Sequence, residues 1–333
     1  MAVENAEVSL PLPWQGGLWQ QFLSQYRDRR LPHALLLSGP HGVGKQQFAE
    51  AVIARLLCVT PGEAVCGHCH GCHMLGAGYH PDLLRVSPEE GKRQIRIDPI
   101  RAVNAFVAQT AQQGGYRVIV FNPAEAMNVA AANALLKSLE EPGERTQFIL
   151  LADVPSRLLA TIRSRCQHWN LPVPEAGQSQ AWLAERLGGT EEAAFWWQVS
   201  GGLPLLAAEL AAPTARALRQ QLHDTFDALV RGAEPVMEAS RLDRQSIESI
   251  LWYGIAWLED LIRLGLSGDA ARVRNPDLLP LFRQAIKNAR VRDWFRLLDY
   301  AREQRRLLAA GGNPNPQLVL EAWLVRWSAL LRS

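Results

Sequence analysis

Four of the five cysteines crowd one short stretch, Cys58, Cys66, Cys69 and Cys72, spaced C-x7-C-x2-C-x2-C. Short C-x2-C turns can aim two thiolates at one ion, and a fourth sulfur closes a tetrahedron with no open position. That is the chemistry of structural Zn²⁺. A disulfide framework would spread its cysteines along the chain, so the crowding fits a metal site in a reducing compartment better. An iron–sulfur cluster is the rival, because C-x2-C-x2-C also opens the ferredoxin run. That run needs a cysteine at position 76 followed by proline, and Gly76 and Ala77 stand there. His68, His70 and His73 offer substitute ligands, but all-sulfur coordination is the favoured reading.

A second stretch could hold phosphate. Gly39-Pro40-His41-Gly42-Val43-Gly44-Lys45 matches G-x-x-x-x-G-K, in which glycines let backbone N–H groups converge on phosphate oxygens and the lysine reaches the outer phosphates. Gly39, Gly42, Gly44 and Lys45 are thus the candidate nucleotide-binding residues. The next residue should carry a hydroxyl for Mg²⁺, and it is Gln46, an amide too long for that compact shell. A buried strand, Val118-Ile119-Val120-Phe121, should end in the Asp and Glu that hold the metal and orient the attacking water. Asn122-Pro123 follow instead, and Glu125 comes two positions late, where it reads as a solvated loop or helix-start carboxylate. Loss of the hydroxyl, the Asp and the Glu together predicts a site that does not hydrolyse ATP. Lys45 keeps the cradle more intact than a dead site requires, so weak or metal-independent nucleotide binding stays open.

These motifs need elements to position them. His33 to Ser38 is a short apolar run ending in the glycine loop, and Gln46 to Leu57 carries helical spacing, a strand–loop–helix opening. The runs Leu83 to Val86, Tyr116 to Phe121 and Gln147 to Leu151 read as buried parallel strands, with helices at Ile100 to Thr110 and Val129 to Leu139 between them. Alternation of this kind implies a parallel sheet covered on both faces. After Trp169 to Pro174 the strand signals stop. A small helical segment follows, with bulk from Leu183, Phe195 and Trp196, and Pro213 breaks into a longer helical part. There Ile247, Ile250, Leu251, Ile255, Leu258 and Ile262 mark one buried stripe. Asn315-Pro316 reads as an N-cap and first-turn proline of a last helix through Trp323 and Trp327. Most of the 11 tryptophans fall in helical segments and read as packing. The expected division is 1–171 for the α/β domain with its zinc module at 58–80, 172–212 for a small helical domain, and 213–333 for an all-α domain.

Bulk properties exclude several classes. Apolar residues make up 48% of the 333 and charged residues 20%, so packed cores are expected rather than disorder. A net charge of +2 argues against a surface coated for nucleic acid, although it leaves room for a local patch. The N-terminus shows no basic region before an apolar run, and no stretch reaches the roughly 18 apolar residues that span a bilayer. A cytoplasmic protein is expected.

Three further stretches carry a resemblance. Asn133 to Pro142 closely resembles the N-A-L-L-K-x-L-E-E-P segment of clamp-loader AAA+ subunits, and Ser164-Arg165-Cys166 resembles their S-R-C motif. Asn313 to Leu318 is similar to the opening of their last collar helix, and His80-Pro81-Asp82 also fits. The likeness is dense over about 32–172 and weaker beyond. With the zinc insertion, it points to the clamp-loader subunits of bacterial DNA polymerase III. The motor members of that family (gamma, with its longer form tau) keep a full phosphate loop, a D-E box and an arginine in a G-S-x-R-D sensor. This chain has Gln46, Asn122-Pro123 and Ser200-Gly201-Gly202-Leu203-Pro204-Leu205, so it resembles the branch with a degenerate nucleotide site.

The resemblance implies an AAA+ sheet domain with an inserted zinc module, a helical lid and a helical collar that oligomerises. It implies a hetero-pentameric ring with gamma/tau and delta subunits, loading a sliding clamp onto primed DNA with ATP burned elsewhere. It implies that Arg165 reaches across the interface into a neighbouring ATP site; read alone, Arg165 is a surface arginine in a salt bridge. Cys166 reads as a small buried residue. Lys137, Glu140 and Glu141 read as helix charges, solvated or relaying contact with DNA. The rivals are an active gamma/tau-type ATPase, a zinc-ribbon nucleic-acid module and a phosphate-loop kinase of small molecules.

Overall fold

Runs of consecutive apolar residues can only be satisfied between two covering layers, and a sheet of five parallel strands meets that rule at its centre. They are β1 (Ala34–Ser38), β2 (Leu83–Val86), β3 (Arg117–Phe121), β4 (Thr146–Ala152) and β5 (Gln167–Asn170), in the spatial order β2-β3-β4-β1-β5. The three central strands are buried along their whole length. In this computed structural model residues 11–332 are described, apart from 61, 63, 114, 310, 311 and 313. The reading of the N-terminus and that of Asn313 therefore lie outside the described residues. Alternate residues of each central strand feed two cores. Leu36, Ile119, Phe121, Phe148 and Leu150 face one side; Leu35, Leu37, Val118, Val120, Ile149 and Leu151 face the other. Helices α1 (Gly16–Arg27) and α2 (Lys45–Leu57) cover the second side. After the short α3 (His70–Gly76), helices α4 (Ile97–Val107), α5 (Val129–Glu140) and α6 (Ala160–Arg163) cover the first.

Two elements differ from the sequence reading. Helix α4 begins three residues early, because Pro99 in its first turn has no intrahelical N–H bond to lose. Strand β5 was not expected: of Gln167-His168-Trp169-Asn170 only Trp169 is buried, the pattern of an edge strand with one packed residue. It pairs with β1 from Leu35↔Gln167 to Ser38↔Asn170.

Beyond the sheet the described chain is helical: α7 (Ala176–Leu187), α8 (Thr190–Val199), α9 (Pro204–Leu210), α10 (Pro213–Val230), α11 (Pro235–Arg241), α12 (Ile247–Ser267), α13 (Leu279–Ala285), α14 (Val291–Ala309) and α15 (Pro316–Leu331). Two compact units result, Met1–Glu185 with Gly202–Leu206, and Arg186–Gly201 with Ala207–Ser333. No described helix is long and apolar enough to cross a membrane.

The second unit is built on aromatic rings. Phe226 packs edge-on against Trp257 and Trp323 and lies 4.6 Å from Trp327, which meets Trp294 at 5.1 Å. All six stripe residues of α12 are buried, and Asn315 caps α15 by accepting from the Gln317 N–H at 2.9 Å. Gly254 lets α12 approach α15, since a Cβ built there overlaps the fully buried Trp323 ring. A glycine in mid-helix ordinarily costs about 1 kcal/mol relative to alanine. Here Gly254→Ala is expected to destabilise, by about 1–3 kcal/mol of overpacking. A lowered urea midpoint followed by tryptophan emission is the expected result; a raised one would show that the ring yields.

Candidate functional site

In an open parallel sheet the loops at the carboxyl ends of the strands converge, so the residues after β1, β3 and β4 should meet. They do. Gly39, Gly42 and Gly44 hold positive φ of 150°, 90° and 97°, forming the tight loop between β1 and α2. A Cβ on Gly42 would lie 2.6 Å from that of Leu206, and one on Gly44 would lie 2.5 Å from Leu12 Cδ1, so only glycine fits either place. The loop is clamped from two directions. Trp14 Nε1 donates to Val43 O at 2.9 Å and Gln15 Nε2 to Gly44 O at 2.7 Å, while Leu205 N donates to Gly42 O at 3.1 Å. Leu205 is apolar and no arginine lies within Ser200 to Leu205, so this contact brings no charge to the loop.

Lys45 is 8% exposed and its ammonium has three donors. They meet Gly39 O at 2.8 Å, Pro40 O at 3.0 Å and the Asp153 carboxylate at 2.5 Å. Asp153 follows β4 directly, and sequence reading missed it because only the β1–β4 pairing brings it to Lys45. The two amides that stand where metal ligands were expected meet: Asn122 Nδ2 donates to Gln46 Oε1 at 3.4 Å. Glu125 is a helix-start carboxylate, in the first turn of a short 3-10 helix, and its Oε1 accepts the Asp153 and Val154 N–H groups at 2.8 and 3.1 Å.

The four cysteines do converge. Their sulfurs all lie within 4.8 Å of one another, with Cys58–Cys66 at 3.6 Å and Cys66–Cys72 and Cys58–Cys69 at 3.9 Å. A tetrahedron with Zn–S bonds of about 2.3 Å has edges of about 3.8 Å, so the set fits that ion. Cys58 caps the end of α2, Cys69 caps the start of α3, and Gly71 lets α3 pass against the Leu57 carbonyl. The Thr60 hydroxyl, donating to Cys66 Sγ at 3.1 Å, draws that thiol down to about 5, helped by the backbone of His68 and Cys69; burial pushes Cys72 up. One thiolate forms easily and the last resists, a conflict that a dication would resolve by neutralising all four. His68, His70 and His73 are exposed and stand outside the cluster.

Arg165 follows α6 and is 33% exposed. Its Nε donates to Glu140 Oε1 at 2.9 Å, a second guanidinium nitrogen also meets that oxygen, and Nη1 donates to Thr161 O at 2.9 Å. Glu140, the last residue of α5, thus fixes the guanidinium; Lys137 and Glu141 are exposed. In the same helix Leu135, Ser138 and Leu139 are buried, so half of the Asn133–Pro142 segment serves packing. Cys166 is buried in the sheet core and its thiol is pushed up to about 12 by that burial, which leaves it inert. His80-Pro81-Asp82 is structural: the fully buried Asp82 carboxylate accepts the Gln112 and Gln113 N–H groups and faces Arg117 at 3.8 Å.

A phosphate-loop sheet with a four-thiol cluster after its loop helix, followed by a helical unit, defines the class of this chain. Two family models match it: one described as DNA polymerase III, delta subunit, over residues 14–175, and one described as DNA polymerase III, delta subunit, C terminal, over residues 214–329. DNA polymerase III subunit delta' of Pseudomonas aeruginosa is 37% identical over 324 residues, 96% of this chain and 97% of its own. That of Yersinia pestis is 32% identical over 327 residues, 96% of each chain. A solved gamma subunit-related protein of DNA polymerase III from Thermotoga maritima is 17% identical, with a TM-score of 0.46 over 94% of this chain and all of its own. The chain belongs to the delta-prime subunit family of DNA polymerase III.

Proposed function

We propose that this chain is the non-hydrolysing member of a clamp loader, set in a hetero-pentameric ring beside gamma/tau and delta subunits. The ring spends ATP to load a sliding clamp onto primed DNA in the cytoplasm, and this chain lends Arg165 to a neighbour's ATP site. In the same reading 1–171 is the nucleotide-site domain, 172–212 the lid and 213–333 the oligomerising collar, and Cys58, Cys66, Cys69 and Cys72 hold structural Zn²⁺. The observation that carries the proposal is the self-satisfied phosphate site. Lys45 has its donors engaged, Gln46 and Asn122 bond each other, and no carboxylate follows β3 directly. Phosphoryl transfer rests on positioning and charge neutralisation, and here Asp153 supplies the neutralising charge that a phosphate would otherwise bring.

The isolated protein is expected to show no magnesium-dependent ATP hydrolysis above background. A turnover near 1 s⁻¹, the low end for enzymes, that vanished in Lys45→Ala would instead make it a gamma/tau-type ATPase. Releasing Lys45 gives a complementary test. Asp153→Asn removes the carboxylate that competes with phosphate, and is expected to tighten ADP binding about tenfold, equivalent to about 1.4 kcal/mol. Calorimetric titration with and without magnesium reads the change, and equal affinity in both proteins would clear Asp153 of that role.

A further inference from the structure

At the opposite end of the sheet from the phosphate loop, where the chain enters β3 and β4, the first unit holds a cavity of about 710 Å³. Arg27, Arg29 and Arg145 line it together with Tyr26 and Tyr116, and no acidic side chain does so among the described residues. Beneath it Arg55 is buried, donating only to neutral oxygens, those of Cys58 O, Thr60 O and Tyr26 Oη. Four guanidinium groups thus gather at one place in a chain whose net charge is +2.

The backbone makes the gathering harder to dismiss. Among the described residues, Arg29 and Arg145 are the two non-glycine positions with left-handed backbone, φ 53° and 52°, and both line this cavity. Arg29 stands just past α1, where its N–H bonds Tyr26 O and the Arg30 N–H bonds Gln25 O. That helix stop ordinarily takes glycine. Arg145 stands in the turn into β4, its carbonyl accepting the Arg117 N–H at 2.9 Å. Glycine would relieve both positions. Strain kept where a simpler residue would remove it points to a use for the side chain.

The use follows from the chemistry. Guanidinium forks pair with phosphate oxygens, and aromatic rings beside arginine take bases by stacking. The volume lies in the range of small-ligand sites, about 300–1,000 Å³, well beyond the needs of a bare phosphate. We infer that this cavity binds a nucleoside phosphate, free or as a unit of a single strand, separately from the phosphate loop. The phosphate lies among Arg27, Arg29 and Arg145, and the base lies along the wall of Tyr26 and Tyr116, whose rings are 6.1 Å apart.

The test uses the purified full chain with two probes at low salt, ADP and an oligothymidylate of about ten nucleotides, within the site sizes of single-strand binders. The decisive variant is Arg29→Gly with Arg145→Gly, which removes two cations while relaxing the backbone. Its unfolding midpoint is expected to equal or exceed that of the parent, while affinity falls at least tenfold. Three arginine–phosphate contacts on a single strand give a slope of log Kd against log salt of about 2, which should drop below about 1 in the variant. Lys45→Ala should leave the oligothymidylate binding unchanged. Loss confined to the oligonucleotide identifies a strand, and loss that extends to ADP identifies a free nucleotide. The inference is overturned if neither probe binds the parent, if binding survives the double substitution, or if that variant is destabilised.

Discussion

Replacing Arg165 with alanine is expected to leave the chain folded and able to join its partner subunits, and to lower the DNA- and clamp-stimulated ATPase of the whole assembly. On the proposed reading this chain hydrolyses no ATP for a finger to assist, and its Gln46 and Asn122 amides meet where metal ligands were expected. The guanidinium lies at the first unit's surface, oriented by Glu140 and the Thr161 carbonyl rather than free to wander. Such orientation lowers the cost of presenting a cation to charge developing on a γ-phosphate. At the one site it completes, the finger should be worth about 10³–10⁵ in rate. Other sites would bring their own, so the summed ATPase falls only in part, and clamp loading falls further if sites fire in sequence. Arg165→Lys should rescue little, because a point charge on a flexible stem cannot reproduce the planar fork. Full assembly with unchanged ATPase and loading in the alanine variant would reduce Arg165 to the partner of Glu140 and the chain to a spacer.

Zinc removal should produce the second large effect. One Zn²⁺ per chain is expected by elemental analysis, in a colourless protein, and Cys72→Ser should bring the stoichiometry close to zero. Structural zinc in small fingers contributes about 10–16 kcal/mol of apparent binding energy that is also folding energy. Here none of the four cysteines belongs to either core around the sheet, so the loss should stay local. Hydrogen exchange should quicken in α3 and in the turn between Cys58 and Cys69, and remain slow in β1, β3 and β4. A metal-free parent, or a brown one, would refute the assignment.

Much of this was open to reading along the chain. Three strands announced themselves because a central parallel strand is apolar on both faces, as in Leu35-Leu36-Leu37 and Val118-Ile119-Val120, and the edge strand β2 did so by its short run Leu83 to Val86. Strand β5 did not, since an edge strand with a single packed tryptophan carries no run and no alternation. Gln46 and Asn122 were visible as amides at places where metal ligands were expected. Their mutual hydrogen bond was not, because it joins residues 76 apart through the order of the sheet. Asp153 was overlooked for the same reason: its charge has meaning only beside Lys45. The helix-start place of Glu125 was legible, but its partners, the Asp153 and Val154 N–H groups, were not, because they belong to another loop. Spacing sufficed for the cysteines, since the ligands of a compact metal site are close in sequence as well as in space.

The two-unit division gives the chain a pair of built-in reporters weighted to different units. Seven of its 11 tryptophans, including the three that pack on Phe226, fall in the second unit, while all five cysteines fall in the first. Emission during unfolding therefore weights the helical unit, and the rate at which a thiol reagent finds Cys166 reads the opening of the sheet core alone. Coincident curves from the two would mark a single cooperative transition. Separated curves would resolve a stepwise melt, and would say which half of the molecule lets go first without any label being added.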